Sequence, residues 1–311
     1  MPDPSPVIRV AAPHEQRAAL ELALRPLPAA SRGPLLDAVG ATAGHPLGPL
    51  DALLVAVERE RVVAATWAQP SPGAAAALWP PEWVGARPPH ASAVELALVK
   101  GAAAACDAAG IALTQALFEI ADDPRIAALQ GARFREIAKL RYLGRTIRAA
   151  DSPTAPDAVL TFEPLTQRDH SRLKRLLKRT YIDSLDCPGL DDYRDLDDVL
   201  ESYRATGRYD ALGWQFVQQG GDDIGVVIVA EHPDADQAEL IYMGLVPEAR
   251  GQGHGARLIK RAIRLAADYG SDQLMVAVDE GNTPARRAYE RAGFASWAKR
   301  SVYVRARDVA G

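Results

Sequence analysis

The sequence has few of the residues on which several classes of protein depend. It contains two cysteines in 311 residues, Cys106 and Cys187, and neither belongs to a Cys-x-x-Cys spacing. A disulfide-rich scaffold and a cysteine-based zinc site are therefore excluded, and a protein kept reduced in the cytoplasm is predicted. Residues 232–236 include His and Asp, which are metal-ligand types, but their proline and close spacing favour a hairpin turn, so we expect no metal.

Long hydrophobic runs and a strong excess of one charge are also missing. The most apolar stretch, residues 93–119, is broken by Glu95, Lys100 and Asp107, so no membrane-spanning helix is expected. The start, MPDPSPVIRV, lacks the basic-then-apolar order of a signal peptide. With 36 Lys and Arg against 40 Asp and Glu, the formal net charge is −4, which argues against nucleic acid as a partner. The oligomeric state stays open.

A glycine-rich loop is the most informative feature that the sequence does have. Residues 250–256 read Arg-Gly-Gln-Gly-His-Gly-Ala and follow an apolar segment. Apolar side chains then recur every three or four residues from Leu258 to Ala266, and Gly270 follows, as expected for a helix with a glycine cap. Glycines let backbone N–H groups approach an anion, and the helix N-terminus adds positive dipole charge. This order of strand, loop and helix predicts a phosphate site.

More than one ligand fits the loop taken alone. A P-loop would need Lys and Ser or Thr after its last glycine, and Gly255 is followed by Ala-Arg. A G-x-G-x-x-A dinucleotide pattern is satisfied from Gly251 to Ala256, with Asp279 further on. Too little chain follows the loop for the rest of a doubly wound sheet. A nicotinamide-dependent oxidoreductase therefore stays a minor alternative.

A second motif follows one helix and one strand later. Asn282, Ala285 and Tyr289 have the spacing Asn-x-x-Ala-x-x-x-Tyr, and Gly293 and Phe294 follow them. With this motif and the glycine loop, the chain resembles the GNAT superfamily of N-acetyltransferases. The acyl-CoA loop of that family, Gln/Arg-x-x-Gly-x-Gly/Ala, and its helix motif, Asn-x-x-Ala-x-x-x-Tyr followed by Gly-Phe, both occur here in order. The resemblance covers roughly residues 158–306. The matching residues are Arg250, Gly253 and Gly255 in the loop, and Asn282, Ala285, Tyr289, Gly293 and Phe294 in the helix and after it.

The resemblance implies a fold and a co-substrate. The fold is of the α+β (α/β) class, with a mixed, mostly antiparallel central sheet flanked by helices. The co-substrate is acetyl-CoA, used without a metal. The implied CoA-binding residues are Leu245, Val246, Arg250, Gly251, Gln252, Gly253, His254, Gly255, Ala256, Asn282 and Arg286.

The resemblance also implies catalytic and acceptor residues. An alkyl amine has a pKa of about 10.4, so it must lose a proton before it attacks a thioester. Glu239 lies where many family members carry this base, and Tyr289 lies where they carry the proton donor for the CoA thiolate. Tyr181, Asp183 and Asp186 belong to the segment that walls the acceptor site in the family. The acidic residues of this segment would attract a cationic amine, although a solvated helix face is the simpler explanation for them.

An internal repeat links the two halves of the chain. When the sequence is shifted by 160 positions, shared Leu, Lys, Gly, Pro and Phe residues from 98 to 134 fall on the second half without a gap. At this offset Glu95 corresponds to Gly255 and Leu129 to Tyr289. We therefore predict a degenerate, non-catalytic GNAT-like domain at 1–150, a linker at 151–157 and a catalytic domain at 158–311. Alternatively, the first half binds another acyl-CoA through different residues.

The predicted function is an acetyl-CoA-dependent N-acetyltransferase acting by direct attack of a primary amine, on a small molecule or a peptide. The alternative is a non-catalytic acyl-CoA sensor. In the second half we predict helices at 170–181 and 191–206, and two strands after Phe294 that pass through Trp297 and through residues 302–304.

Overall fold

The computed structural model describes residues 6–39, 45–119, 122–151, 157–188 and 195–307. Most of the predicted linker lies outside these residues. The chain forms two compact units, one of Met1–Ile137 with Ser301–Gly311 and one of Ala138–Arg300. The predicted domain borders at 150 and 158 divide the sequence repeat, and they stay a prediction.

The first unit is a sheet with helices on it. In its described part the strands follow the order β1-β2-β3-β4-β5, and residues 301–306 of the last strand, β12, pair with β5. Every pairing described is antiparallel except that of β4 with β5. The elements are β1 Val7–Val10, α1 Gln16–Ala23, α2 Ala29–Ala38, β2 Leu53–Glu58, β3 Arg61–Ser71, β4 Ala75–Trp83, α3 Ala91–Ala108, β5 Leu113–Phe118 and α4 Ile126–Gly131.

The second unit repeats this plan. Its strands follow the order β7-β8-β9-β10-β11, and residues 140–146 of β6 pair with β11. Only β10 and β11 pair in parallel among the described strands of this unit. The elements are β6 Arg135–Thr146, β7 Thr161–Pro164, α5 His170–Tyr181, α6 Leu196–Ala205, β8 Trp214–Gln219, β9 Asp222–His232, β10 Gln237–Leu245, α7 His254–Asp268, β11 Gln273–Asp279, α8 Thr283–Arg291 and β12 Ala295–Ala306. The predicted fold class is confirmed.

The final strands are exchanged between the two sequence copies. The last strand of the first copy, β6, supplies a partner to β11, and the last strand of the second copy, β12, supplies one to β5. The prediction of two strands after Phe294 was wrong, since β12 is one strand over Ala295–Ala306. No glycine, proline or asparagine interrupts these residues, so nothing in the sequence forces a turn between them.

Two apolar layers cover the sheet of the second unit. The side chains of β9 alternate between them: Val227 and Val229 pack with α7, while Val226 and Ile228 pack with α5 and α6. This is the two-residue period of a strand that is buried on both faces. Burial of both faces fixes the position of β10, the neighbour of β9, and therefore the position of the loop that follows β10.

The two helices before β8 were predicted with different success. The expected helix at 170–181 is α5, with the same bounds. The second helix begins at Leu196, because the carboxylate of Asp195 accepts a hydrogen bond from the N–H of Asp197 at 2.7 Å and caps it. Residues 191–194 of the predicted helix lie outside the described residues. Across the described chain, we find no helix with both the length and the apolar character needed to cross a bilayer.

Candidate functional site

A cavity of about 460 Å³ opens where β10 and β11 separate. The two strands pair only from Gln237 with Gln273 to Glu239 with Met275. Beyond that point β10 changes register against β9 between Leu240 and Tyr242, an irregularity that bends a strand. Residues 240–245 of β10 line one wall of the cavity and residues 276–278 of β11 line the other.

The glycine loop lies at this cavity. Gly251 has φ +75° and Gly253 has φ +80°, values that favour glycine, and Gly253 is the N-cap of α7. A Cβ built on Gly251, Gly253 or Gly255 would meet no atom within 4 Å. The first N–H groups of a helix have no partner inside the helix and carry the positive end of its dipole. The loop therefore has open space and backbone N–H groups at a helix N-terminus, and its role as a phosphate site stays a prediction.

Arg250 connects this loop to the end of α5. Its Nε donates to the carbonyl of Leu245 at 3.1 Å, its Nη2 to that of Thr180 at 2.9 Å and its Nη1 to that of Asp183 at 3.0 Å. Arg250 and Leu245 also line the cavity. The guanidinium thus contacts backbone oxygens in this structure and holds the loop after α5 against the glycine loop.

The other loop residues predicted to bind CoA have different surroundings. Val246 is buried in the apolar layer around α5 and α6. Gln252 is exposed, and its side-chain amide donates to the carbonyl of Glu248 at 2.8 Å. His254 is buried as the first residue of α7, and neither of its ring nitrogens has a hydrogen-bond partner among the described residues. Ala256 is exposed in the first turn of the same helix.

The N-terminus of α8 forms another side of the cavity. Asn282 caps this helix, since its Oδ1 accepts a hydrogen bond from the N–H of Ala285 at 3.2 Å, and both residues line the cavity. Arg286 is not among the lining residues. Its Nη1 donates to the carbonyl of Glu280 at 2.8 Å, and its Nε is buried without a described partner.

Tyr289, further along α8, is a buried residue that lines the cavity. Tyr289 is buried, and its ring packs edge to face on Phe294. Burial raises the pKa of Tyr289 well above its ordinary value, and the negative charge of Asp186 raises it further. At neutral pH the phenol therefore keeps its proton.

Two of the three residues predicted to contact the acceptor line the cavity. Asp183 and Asp186, in the loop after α5, line the cavity. Tyr181 is not among the lining residues, and its ring packs on Tyr242, 5.7 Å between ring centres. The carboxylate of Asp186 accepts a hydrogen bond from the N–H of Asp279 at 3.2 Å, at the end of β11.

Asp186 is exposed to water, yet the pKa of its carboxyl is raised. The main cause is desolvation, and the charge of Asp279 adds to it, while the hydrogen bond from Asp279 opposes both. The two observations agree because Asp186 lies in a concave cavity, where water reaches the carboxylate but surrounding protein atoms limit its hydration.

Glu239, the predicted base, lies at the last residue pair before β10 and β11 separate. Its Oε2 is 3.0 Å from Nε2 of His232, and Glu239 is not among the residues that line the cavity. The hydrogen bond to the Glu239 carboxylate raises the pKa of His232 above its ordinary value. The carboxylate therefore contacts the imidazole of His232 within its own hairpin.

Sequence reasoning missed one wall of the cavity, formed by Thr180, Tyr242 and Gly244. Thr180 Oγ1 and the Tyr242 hydroxyl are 2.7 Å apart. A Cβ on Gly244 would lie 2.9 Å from Cβ of Thr180 and closer still to the Tyr242 hydroxyl. A lone glycine inside an apolar strand indicates such a close approach, and it was the available signal.

The corresponding region of the first unit is filled by its own side chains. Glu95 on α3, the repeat counterpart of Gly255, is fully buried. Its carboxylate accepts hydrogen bonds from Arg87 at 2.8 Å and from Nε1 of Trp83 at 2.9 Å. A carboxylate thus lies where the second unit has open space beside its glycines.

Comparison with known proteins agrees with this geometry. Residues 172–294 match the model of the acetyltransferase (GNAT) family. The chain is 31% identical over 190 residues to a mycothiol acetyltransferase of Thermomonospora curvata, covering 60% of each protein. It is 34% identical over 102 residues to a mycothiol acetyltransferase of Thermobispora bispora, covering 31% of this chain and 35% of the relative. The matches thus span less than two thirds of these curated relatives.

Solved structures with this fold cover nearly the whole chain. A GCN5-related N-acetyltransferase of Sphaerobacter thermophilus superposes with a TM-score of 0.64 at 16% identity, over 97% of this chain and 95% of that one. A tandem GNAT protein from the clavulanic acid biosynthesis pathway superposes with a TM-score of 0.54 at 14% identity, over 98% and 99%. At these identities the similarity establishes the fold alone, and it includes a tandem arrangement.

Proposed function

We propose that the chain, whose residues 172–294 match the model of the GNAT acetyltransferase family, is an acetyl-CoA-dependent N-acetyltransferase that transfers the acetyl group directly to a primary amine. We further propose that it has one working site, in the second sequence copy. The observation that carries both proposals is the cavity between β10 and β11, where the open glycine loop and the buried phenol of Tyr289 occur together.

The residues around the cavity suit a pyrophosphate-bearing thioester. The open space at Gly251 and Gly253 would let phosphate oxygens reach the backbone N–H groups at the start of α7. The apolar strand residues 240–245 and 276–278 would accommodate an extended, uncharged arm between the separated strands. Bound acetyl-CoA would supply an activated acetyl group. Tyr289, whose raised pKa keeps it protonated, would then donate a proton to the departing sulfur.

The acceptor is proposed only as a class. Asp183 and Asp186 line the cavity and would attract a protonated amine. The name of the curated relatives makes a mycothiol-type amine one candidate among small molecules and peptides. We propose neither a nucleic acid nor a membrane as partner, and no metal takes part in the proposed reaction.

The competing function is an acyl-CoA sensor without catalysis. A sensor needs the glycine loop but not the proton donor, so the placement of Tyr289 in the cavity favours an enzyme. The test is release of free thiol from acetyl-CoA in the presence of glycylglycine, putrescine, glucosamine or a mycothiol-type amine, with mass spectrometry of the amine product. We expect an acetylated amine with at least one of them. Tight binding of acetyl-CoA, with no thiol released in the presence of any of these amines, would favour the sensor.

A further inference from the structure

We propose that Asp186 is the base that takes the proton from the attacking amine. The inference rests on the proposed acetyl transfer and names a catalytic residue for it. Asp186 lines the same cavity as Tyr289, so a carboxylate and a phenol both face the space between β10 and β11. Glu239 is the base predicted from the sequence, but it does not line that cavity and lies 3.0 Å from His232.

The loop after α5 is built to place Asp186 at the cavity. Asp183 and Cys187 both have left-handed backbone conformations, with φ +53° and φ +47°, so the chain turns sharply on either side of Asp186. Arg250 holds the first turn through the carbonyl of Asp183. The N–H of Asp186 donates to Oγ of Ser184 at 3.1 Å. The turns on either side of Asp186 and the contacts before it thus hold its backbone at the cavity.

One oxygen of the Asp186 carboxylate is occupied and the other is available. Oδ1 accepts the N–H of Asp279 at 3.2 Å, which fixes the carboxylate at the end of β11. Among the described residues no donor is assigned to Oδ2. A carboxylate that is held by one oxygen and belongs to a residue lining the cavity is suited to proton abstraction.

The electrostatics of the cavity support the same assignment. Desolvation and the charge of Asp279 raise the pKa of Asp186, which makes its carboxylate a stronger base than one on an open surface. The titratable groups around it are Asp279 on β11, the neutral phenol of Tyr289 on α8, Asp183 in its own loop and Arg250 in the glycine loop, whose guanidinium contacts backbone carbonyls. In return, the Asp186 charge raises the pKa of Tyr289 and keeps that phenol protonated. One residue is thus tuned as a base and the other as an acid.

The protons balance over one turnover. The alkyl ammonium gives one proton to Asp186, and the nitrogen lone pair then attacks the thioester carbonyl carbon. The carbon–sulfur bond breaks, sulfur leaves with the bonding pair, and Tyr289 protonates it. The nitrogen, now bonded to the acetyl carbon, releases a second proton that restores Tyr289 through water. The proton on Asp186 passes to solvent, so the products are the amide, free CoA thiol and one proton.

The test compares two kinds of nucleophile in the Asp186→Asn variant. Asparagine keeps an oxygen that can accept the Asp279 N–H but cannot take a proton. The first nucleophile is whichever of glycylglycine, putrescine and glucosamine the unsubstituted chain acetylates fastest. The second is hydroxylamine, which is largely unprotonated at neutral pH, and its enzyme-free reaction is subtracted. We expect kcat to fall by ~10²-fold or more with the alkyl amine. The loss of kcat with hydroxylamine should be smaller by at least about tenfold.

Three further variants sharpen the comparison. Asp268→Asn changes an exposed carboxylate at the far end of α7 and should leave both rates at the parent value. Asp186→Glu keeps a base one methylene further out and should retain more alkyl-amine activity than Asp186→Asn. Glu239→Gln tests the base predicted from the sequence. Calorimetry with acetyl-CoA checks that each variant folds and binds the co-substrate.

Each result decides the assignment. A loss confined to the alkyl amine in Asp186→Asn supports it. Parent rates in that variant, or equal losses with both nucleophiles, overturn it, as does a selective loss in Glu239→Gln alone. If Asp186→Asn does not fold, Asp186→Ala, which also lacks a carboxylate, takes its place and is judged by the same results. If the unsubstituted chain acetylates no amine, the proposed function itself fails and the base assignment fails with it.

Discussion

Glu95 and Arg87 form a two-point ion pair in the first unit, with Nε to Oε1 and Nη2 to Oε2 both at 2.8 Å. The Glu95 side chain is fully buried, whereas about a third of Arg87 stays exposed, 34% of its side-chain surface. The carboxylate therefore occupies the region of α3 that corresponds to the glycine loop of the second copy. The first copy carries its own anion where the second has space for a ligand.

Removing the charge of Glu95 should destabilise the first unit. In Glu95→Gln, Arg87 loses its charged partner, and we expect the free energy of unfolding in urea to fall by about 2–3 kcal/mol. This lies at or below the low end for buried pairs because Arg87 remains in contact with water. Glu21→Gln, which breaks the exposed pair with Arg17, is the control and should cost less than about 0.5 kcal/mol. Similar losses of unfolding free energy in both variants would show that the buried pair stabilises the fold no more than the exposed pair does.

Gly253 and Gly270 allow a matched test of the loop. Both have left-handed φ, +80° and +74°, both flank α7, and a Cβ on either would meet no atom within 4 Å. Glutamate at either position should therefore cost a similar ~1–2 kcal/mol of backbone strain. Only Gly253→Glu also places a carboxylate beside the helix N-terminus, so only this variant should lose acetyl-CoA binding in calorimetry. A folded Gly253→Glu chain with near-normal affinity for acetyl-CoA would show that the loop is not the phosphate site.

Tyr289→Phe should slow acetyl transfer by ~10²-fold with little change in acetyl-CoA affinity. Phenylalanine keeps the ring against Phe294 and removes only the hydroxyl. Tyr303→Phe changes another buried tyrosine, one whose ring packs on Phe118, and should leave turnover unchanged. The measurement is kcat at saturating amine. Parent turnover in Tyr289→Phe, together with a pre-steady-state burst, would show that acyl transfer does not limit the rate. Without a burst, the sulfur leaves unaided.

The His232–Glu239 pair predicts a pH dependence that NMR can follow. The hydrogen bond to the Glu239 carboxylate raises the pKa of His232 in the folded chain. The pair therefore stabilises the fold fully below the unfolded value of about 6.5, and this contribution is lost as pH rises through the folded value. Both side chains are about a third exposed, 34% and 37%, so the contribution is under about 1 kcal/mol. In Glu239→Gln only desolvation remains, and the His232 titration midpoint should fall to about 6.5 or lower. An unchanged midpoint would contradict the pairing.

The parts of the site that could be predicted are those determined by residues close together in the sequence. The apolar period after residue 254 predicted α7, and the glycines at 251 and 253 predicted an open loop before it, where the structure has left-handed φ values at both. These features depend on local backbone geometry. The order of the two motifs placed Tyr289 on the helix after β11, where the structure has it.

The rest depends on contacts between distant residues. Nothing near Arg250 in sequence shows that its guanidinium contacts the carbonyls of Thr180 and Asp183. The exchange of β6 and β12 is equally non-local, because each strand pairs with the sheet of the other copy. Glu239 has the sequence position of a base, yet only the three-dimensional arrangement shows which carboxylate lines the cavity.

The most direct test of the account is a calorimetric titration of the full chain with acetyl-CoA. We predict one binding site per chain, removed by Gly253→Glu and retained in Gly270→Glu. Two equivalent sites would contradict the assignment of a single working copy, and binding of NAD without binding of acetyl-CoA would contradict the proposed co-substrate.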